Sequence, residues 1–226
     1  MSNWFIYQKI NRYSPFNRTR KGLISNFLIV SAMAAAGVWL IFSLLSQQGL
    51  YPFVSNVPPI NAGLLNSFSP SVRYWEAEIQ SWANEWQMDP VLIATVMQIE
   101  SCGDPHAISA ADAQGLFQVM PYHFLPGENM LDPQTNASRG LAYLHNSFIK
   151  SGGDIYLTLA GYNGGHGQIN RPDETWPDET QRYALWGSGI YHEILVGNRN
   201  SLTLEAWLEA GGKHLCQNAE ENLSLQ

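Results

Sequence analysis

Charge is missing from long stretches of this chain. No Asp, Glu, Lys or Arg falls between Lys21 and Arg73, and all four together make up 14% of the 226 residues. A basic patch of the kind that binds nucleic acid is absent. The glycine-rich stretch 161–167 lacks the Lys-Ser/Thr that completes a phosphate-binding loop. The six histidines, His106, His123, His145, His166, His192 and His214, lack metal-ligand spacing, so neither a metal nor a cofactor is expected. There is no internal repeat and no low-complexity tract. No run of four to eight residues alternates cleanly as a half-buried strand does. Cysteine occurs only twice, at Cys102 and Cys216.

The charges that are present are unevenly placed. Residues 1–21 hold five cations (Lys9, Arg12, Arg18, Arg20, Lys21) and no acid. From residue 22 onward seven cations face nineteen acids, a formal charge of −12. Between these regions lies an uncharged run, 23–45, rich in Leu, Ile, Val, Ala and Phe. At about 1.5 Å per residue its 23 residues reach about 35 Å, enough to cross a hydrocarbon core. The flanking cations place the N-terminus in the cytoplasm and the acidic body outside it. The expectation is a single-pass anchor in the cell membrane. Its rivals are a buried helix and a cleaved signal peptide using the small residues of 32–36. Residues 47–70 are uncharged, carry Pro52, Pro58, Pro59 and Pro70, and read as a tether. The expected organisation is a basic segment 1–21, a transmembrane helix 22–46, a linker 47–70, a globular domain 71–200 and a C-terminal extension 201–226. In an oxidising compartment Cys102 and Cys216 are expected to pair, the alternative being two free thiols.

The body reads as mainly helical. Residues 71–87 place Val72, Trp75, Ile79, Trp82, Ala83 and Trp86 on one stripe, where the tryptophans serve as core or, alternatively, as sugar platforms. Helices are also expected over 90–101, 133–151, 155–162, 178–195 and 202–208, with a short one opening near Gln114 or Gly115. The 90–101 helix has Asp89 as a cap and Pro90 in its first turn, and its apolar run ends at Glu100. Steps of four and eight back from Glu100 reach Val96 and Leu92, so the carboxyl shares an apolar face. Gly103 supplies a left-handed cap. An acid on an apolar face at the negative end of a helix dipole is expected to have a raised pKa. A carboxyl protonated near neutral pH is what a general acid for glycosidic cleavage needs. Spacing alone leaves open a Glu that points to solvent.

Four blocks then occur in order: Glu100-Ser101, Gly115-Leu116-Phe117-Gln118, Gly161-Tyr162-Asn163-Gly164-Gly165 and Glu179-Thr180-x-x-Tyr183. Asp132-Pro133-x-x-Asn136 and Arg139-Gly140-x-x-Tyr143-Leu144 lie between the second and third. Over about residues 71–196 this series resembles the catalytic domain of the soluble lytic transglycosylases, glycoside hydrolase family 23, whose lysozyme-like fold is shared with goose-type lysozyme. The resemblance implies a mainly α, lysozyme-like domain behind the N-terminal anchor. It implies peptidoglycan glycan strands as substrate, with Glu100 as the single catalytic acid/base. Ser101, Phe117, Gln118, Tyr162, Asn163 and Tyr183 are then the residues that line the substrate site. Three positions depart from the family pattern. Phe117 stands for Met, Ala110 follows Ser109 where Pro is usual, and Gly161 replaces a common Ala, a change expected to be benign.

Ordinary glycosidases pair the acid with a second carboxylate. In the transglycosylase reading the muramoyl 6-hydroxyl replaces water, and the product is 1,6-anhydromuramic acid. A hydrolytic muramidase would recruit Asp104, Asp112, Glu128 or Asp132, each of which reads as a turn or cap residue. A non-catalytic wall-binding scaffold within an envelope assembly is the remaining alternative, against which the intact motifs argue.

Overall fold

The computed structural model describes residues 63–197 and 200–225. The basic segment, the apolar run 23–45 and most of the proline-containing tether lie outside the described residues. Among the described residues no helix is long and apolar enough to cross a membrane.

Helices account for nearly all regular structure there. A 3-10 turn, Leu64–Ser67, leads into α1 (Pro70–Arg73) and α2 (Glu76–Trp86). The central helix α3 (Pro90–Glu100) precedes a long loop. Then follow α4 (Pro133–Lys150), α5 (Ile155–Gly164), α6 (Asp178–Leu195), α7 (Leu202–Trp207) and α8 (Lys213–Asn222). Short polar side chains start several of these helices by taking up backbone N–H groups that lack a partner in the first turn. Asp89 accepts from Val91 N at 2.8 Å, Asp132 from Thr135 N at 2.8 Å and Asp154 from Leu157 N at 2.9 Å. Asp89 also accepts the Tyr191 hydroxyl at 3.0 Å, which ties the start of α3 to α6.

Helix α3 is buried on all sides from Pro90 to Gln98. A helix that is apolar all round belongs inside a domain, and here it packs against α2 and α6. The core it anchors includes Trp75, Trp82, Leu116, Phe117, Leu141, Leu144, Leu159 and Ile190. Trp75 and Trp82 are therefore core residues, as their spacing favours.

Four local expectations are corrected. The stripe over 71–87 is two helices, broken around Trp75, whose indole N–H donates to the Gly103 carbonyl at 2.8 Å. No helix opens at Gln114. The segment folds back on itself, with Gln114 and Val119 exchanging backbone hydrogen bonds of 3.0 Å each way. Asn136 on α4 is the reason: its side chain accepts from Phe117 N at 2.9 Å and donates to Gln114 O at 2.7 Å and Met130 O at 2.9 Å. The end of the supposed tether packs as part of the domain, with Leu65 1% and Phe68 3% exposed. Finally, the C-terminal extension holds a helix, α8, that its sequence did not announce. Gly211, at φ 131°, makes the turn between α7 and α8.

Cys102 and Cys216 form a disulfide with Cα atoms 4.9 Å apart. The buried Gln98 amide donates to both sulfurs, at 2.9 and 3.3 Å, and accepts from Ser69 N at 3.0 Å. One polar side chain thus joins the entry to the domain, the central helix and its C-terminal helix.

Candidate active site

Glu100 is the last residue of α3, and the turn beyond it is sharp. Ser101 leaves helical geometry, and Cys102 and Gly103 take positive φ of 52° and 82°. A Cβ on Gly103 would stand 2.7 Å from the Ser71 carbonyl oxygen, so the close approach of α1 requires glycine there.

The Glu100 carboxyl keeps only partial access to solvent. Its Oε1 accepts the Tyr183 hydroxyl at 2.7 Å. Burial raises its pKa to about 8, the Tyr183 hydrogen bond pulls the other way, and the charge of Glu179 adds a smaller upward push. The acid is therefore mostly protonated at neutral pH. Burial and the neighbouring Glu100 also hold the Tyr183 and Tyr162 phenols well above their usual range, so both remain hydroxyl donors.

Tyr162 stacks on Tyr183 with ring centroids 6.5 Å apart and gives its hydroxyl to the Phe117 carbonyl at 2.7 Å. That bond joins the third sequence block to the second. Asn163 accepts from Thr180 Oγ1 at 2.8 Å, which joins the third to the fourth. Gln118 adopts a positive φ of 45°, and its amide Nε2 donates to Gly115 O at 3.0 Å and Ala107 O at 3.2 Å. A non-glycine residue in that conformation stores strain that the surrounding structure must hold.

Tyr183 meets Glu100 at the end of α3 and Tyr162 stacks on Tyr183, while Gln118 is held by Gly115 and Ala107 and Asn163 by Thr180. Two other expected substrate contacts do not present their side chains. Ser101 is 0% exposed, donates to the Leu116 carbonyl at 2.7 Å and accepts from Gly103 N at 3.1 Å. Phe117 is 0% exposed and meets the edge of Trp82 at 5.8 Å. Both lock the Gly115–Gln118 turn to the core instead of touching a ligand.

The other acids considered are engaged elsewhere. Asp104 accepts from His106 N and Asn222 Nδ2, both at 2.8 Å. Asp112 accepts from Gln114 Nε2 at 2.9 Å. Glu128 pairs with Arg139, and Asp132 caps α4. Among the described residues no group of His, Cys, Asp and Glu is arranged to hold a metal ion.

Two contributors were missed in sequence. Asn136 shapes the turn that carries Gln118, and its place in Asp132-Pro133-x-x-Asn136 was the available signal. Glu179, four residues before Tyr183 on α6, shares that helix face and so adds its charge beside Glu100. At Gly161, where the resembling family commonly has Ala, the neighbours fill the space of an added methyl. A Cβ there would collide with the Ser147 hydroxyl and approach Ile169 Cδ1 to 2.7 Å.

The arrangement defines a helical domain built around one buried, protonated acid braced by tyrosines. Residues 77–183 match the family model described as transglycosylase SLT domain. The chain is similar to a protein named transglycosylase from Enterobacteria phage PRD1, 34% identical over 51% of this chain and 42% of that protein. It is also similar to membrane-bound lytic murein transglycosylase E from Buchnera aphidicola, 28% identical over 61% of this chain and 68% of that protein. Among solved structures, lytic transglycosylase Slt from Pseudomonas aeruginosa matches with a TM-score of 0.46 and 22% identity, over 57% of this chain and 25% of that one. The chain thus spans less than half the length of the phage relative.

Proposed function

We propose that the chain is a peptidoglycan lytic transglycosylase with a lysozyme-like catalytic domain. The observation that carries this reading is the raised carboxyl of Glu100, near pKa 8, with no second carboxylate hydrogen-bonded to it among the described residues. Protonated Glu100 gives its proton to the glycosidic oxygen between N-acetylmuramic acid and N-acetylglucosamine. The C1–O bond breaks, and its electron pair leaves with the N-acetylglucosamine side. Positive charge then develops at the muramoyl C1, where the substrate's own 2-acetamido group or the dipoles of Tyr162 and Asn163 stabilise it. Glu100, now a carboxylate, takes the proton of the muramoyl 6-hydroxyl as that oxygen bonds to C1. The acid is restored, no water is consumed, and the product carries a 1,6-anhydromuramic end.

The uncharged run 23–45 and its cationic flank support a membrane anchor with the catalytic domain on the extracytoplasmic side, in the periplasm or facing the wall. Mass spectrometry of glycan digested by the purified protein tests the reaction. Product ends one water lighter than reducing muramic acid are expected. Reducing ends alone would make the protein a hydrolytic muramidase, and intact glycan would make it a binding scaffold. A reporter fused after Gln226 tests the topology, and activity confined to the cytoplasm would overturn it.

A further inference from the structure

The aromatic packing at Glu100 does not stop at Tyr162. The Tyr162 ring meets Tyr143 of α4 edge-on at 5.8 Å. Tyr143 is flanked by two imidazoles, His166 stacked on it at 4.2 Å and His123 tilted against it at 4.9 Å. His123 in turn touches Tyr122 at 4.5 Å, and Tyr122 is 76% exposed. The run therefore passes from Tyr162, stacked on the phenol that contacts the acid, to open surface, through side chains from four separate segments. Core packing does not require its outer part. Side chains at Gly165 and Gly167 would meet nothing closer than the Tyr143 hydroxyl at 4.0 Å, so the chain on either side of His166 leaves the surface bare.

The outer end also carries a cation in an unusual setting. Lys150, exposed at the end of α4, directs its ammonium to His166 Nδ1 at 3.0 Å and makes no ion pair among the described residues. With Nδ1 facing an ammonium, the His166 proton belongs on Nε2, which lies 3.3 Å from the Tyr143 carbonyl. Burial lowers the pKa of both His166 and His123, so at neutral pH they are flat neutral rings and Lys150 supplies the charge. A neutral sugar backbone has no use for that ammonium, and the domain around it is strongly acidic. A flat apolar surface ending in a cation fits a substituent with amide planes and free carboxylates.

We propose that Tyr122, His123, Tyr143, His166 and Lys150 form a binding face for the carboxylate-bearing peptide stem of the muramoyl residue. The stem lies along the rings, and a stem carboxylate pairs with the Lys150 ammonium while the glycan presents its bond to Glu100. This inference rests on the transglycosylase reading. It assigns to the two histidines and to Lys150 a role in choosing peptide-substituted over naked glycan.

The test compares two soluble glycan preparations from one source, one with its peptide stems and one stripped of them by an amidase. Lys150→Gln changes an exposed side chain and leaves the fold intact, and thermal melting checks His166→Gln. For both variants KM on the peptide-bearing glycan should rise about threefold to tenfold, the range of a single stacking contact or rim ion pair. Values of kcat should stay within about twofold, as for lost uniform binding. KM on stripped glycan should not move, and Lys213→Gln, a charge removed from α8, should change neither substrate. An unchanged KM in Lys150→Gln, or equal weakening on both substrates, overturns the peptide face while leaving the catalytic reading in place. If the unaltered protein cleaves neither preparation, the catalytic reading fails and takes this proposal with it.

Discussion

The Tyr183 hydroxyl donates to Glu100 Oε1 at 2.7 Å, a contact between residues 83 positions apart. It joins the C-terminal end of one buried helix to the first third of another, and it opposes the burial that raises the Glu100 pKa to about 8. Removing it is informative because the shift has opposing causes of known sign.

Tyr183→Phe takes away a hydrogen bond that favours the carboxylate, so the Glu100 pKa should rise further. The alkaline limb of the pH–activity profile, where the acid loses its proton, should move to higher pH. Glu179→Gln removes a negative neighbour that disfavours ionisation, and the same limb should move to lower pH. Profiles of kcat/KM for the two variants check this. Shifts in the same direction would contradict the assigned causes.

Glu100→Gln keeps the shape of the side chain but not its transferable proton. Activity on peptidoglycan should fall by about 10²-fold or more. Stability should respond differently. The native carboxyl holds its proton up to about pH 8, whereas the ordinary value is 4.5, so the folded state binds more protons between them. The unaltered protein therefore loses stability as pH rises through that window, and the loss levels off above about 8. Gln does not ionise, so urea denaturation of the variant should show a flatter dependence over the same range. A variant with near-normal turnover would remove Glu100 from the mechanism.

Gly161→Ala should destabilise the domain although alanine is the commoner residue in the resembling family. The added methyl must displace the Ser147 hydroxyl, which donates to Thr158 O at 2.7 Å, and Ile169. Overpacking of this kind costs about 1–3 kcal/mol. Ser147→Ala in the same chain should recover part of the loss, which denaturant melts of the single and double variants would measure.

The Cys102–Cys216 bridge closes a loop of 114 residues. The chain-entropy account gives on the order of 4–5 kcal/mol for such a loop before native strain. Denatured, unreduced protein should show no titratable thiol, and reduction should lower the melting temperature. Because Cys102 lies two residues beyond Glu100, reduction should also lower activity at temperatures below the melt. Two titratable thiols before reduction would refute the bridge in solution.

Glu100 was legible in sequence because its setting is local. Asp89, Pro90 and the apolar run that follows specify a buried helix, and steps of four and eight residues put the carboxyl on its apolar face. The Tyr162-Asn163 and Tyr183 blocks were legible by resemblance, as was their order. Whether a side chain in a block would face a ligand or the core was not. Ser101 and Phe117 turned inward because the Leu116 carbonyl and Trp82 stand where only the folded chain can bring them.

By itself the sequence determined the helices over 90–100, 133–150, 155–164 and 178–195, the first of which ends at Glu100, and the acidic balance of the body. Those depend on neighbours within a turn or two, or on composition. Tertiary structure decided the rest. It folded 114–119 into a turn held by Asn136 and broke the first long stripe at Trp75. It also filled the space beside residue 161 with the Ser147 and Ile169 side chains and set the balance of forces on the Glu100 proton. Each of these rests on atoms that approach within hydrogen-bond or van der Waals distance from far along the chain, and no local periodicity encodes such an approach.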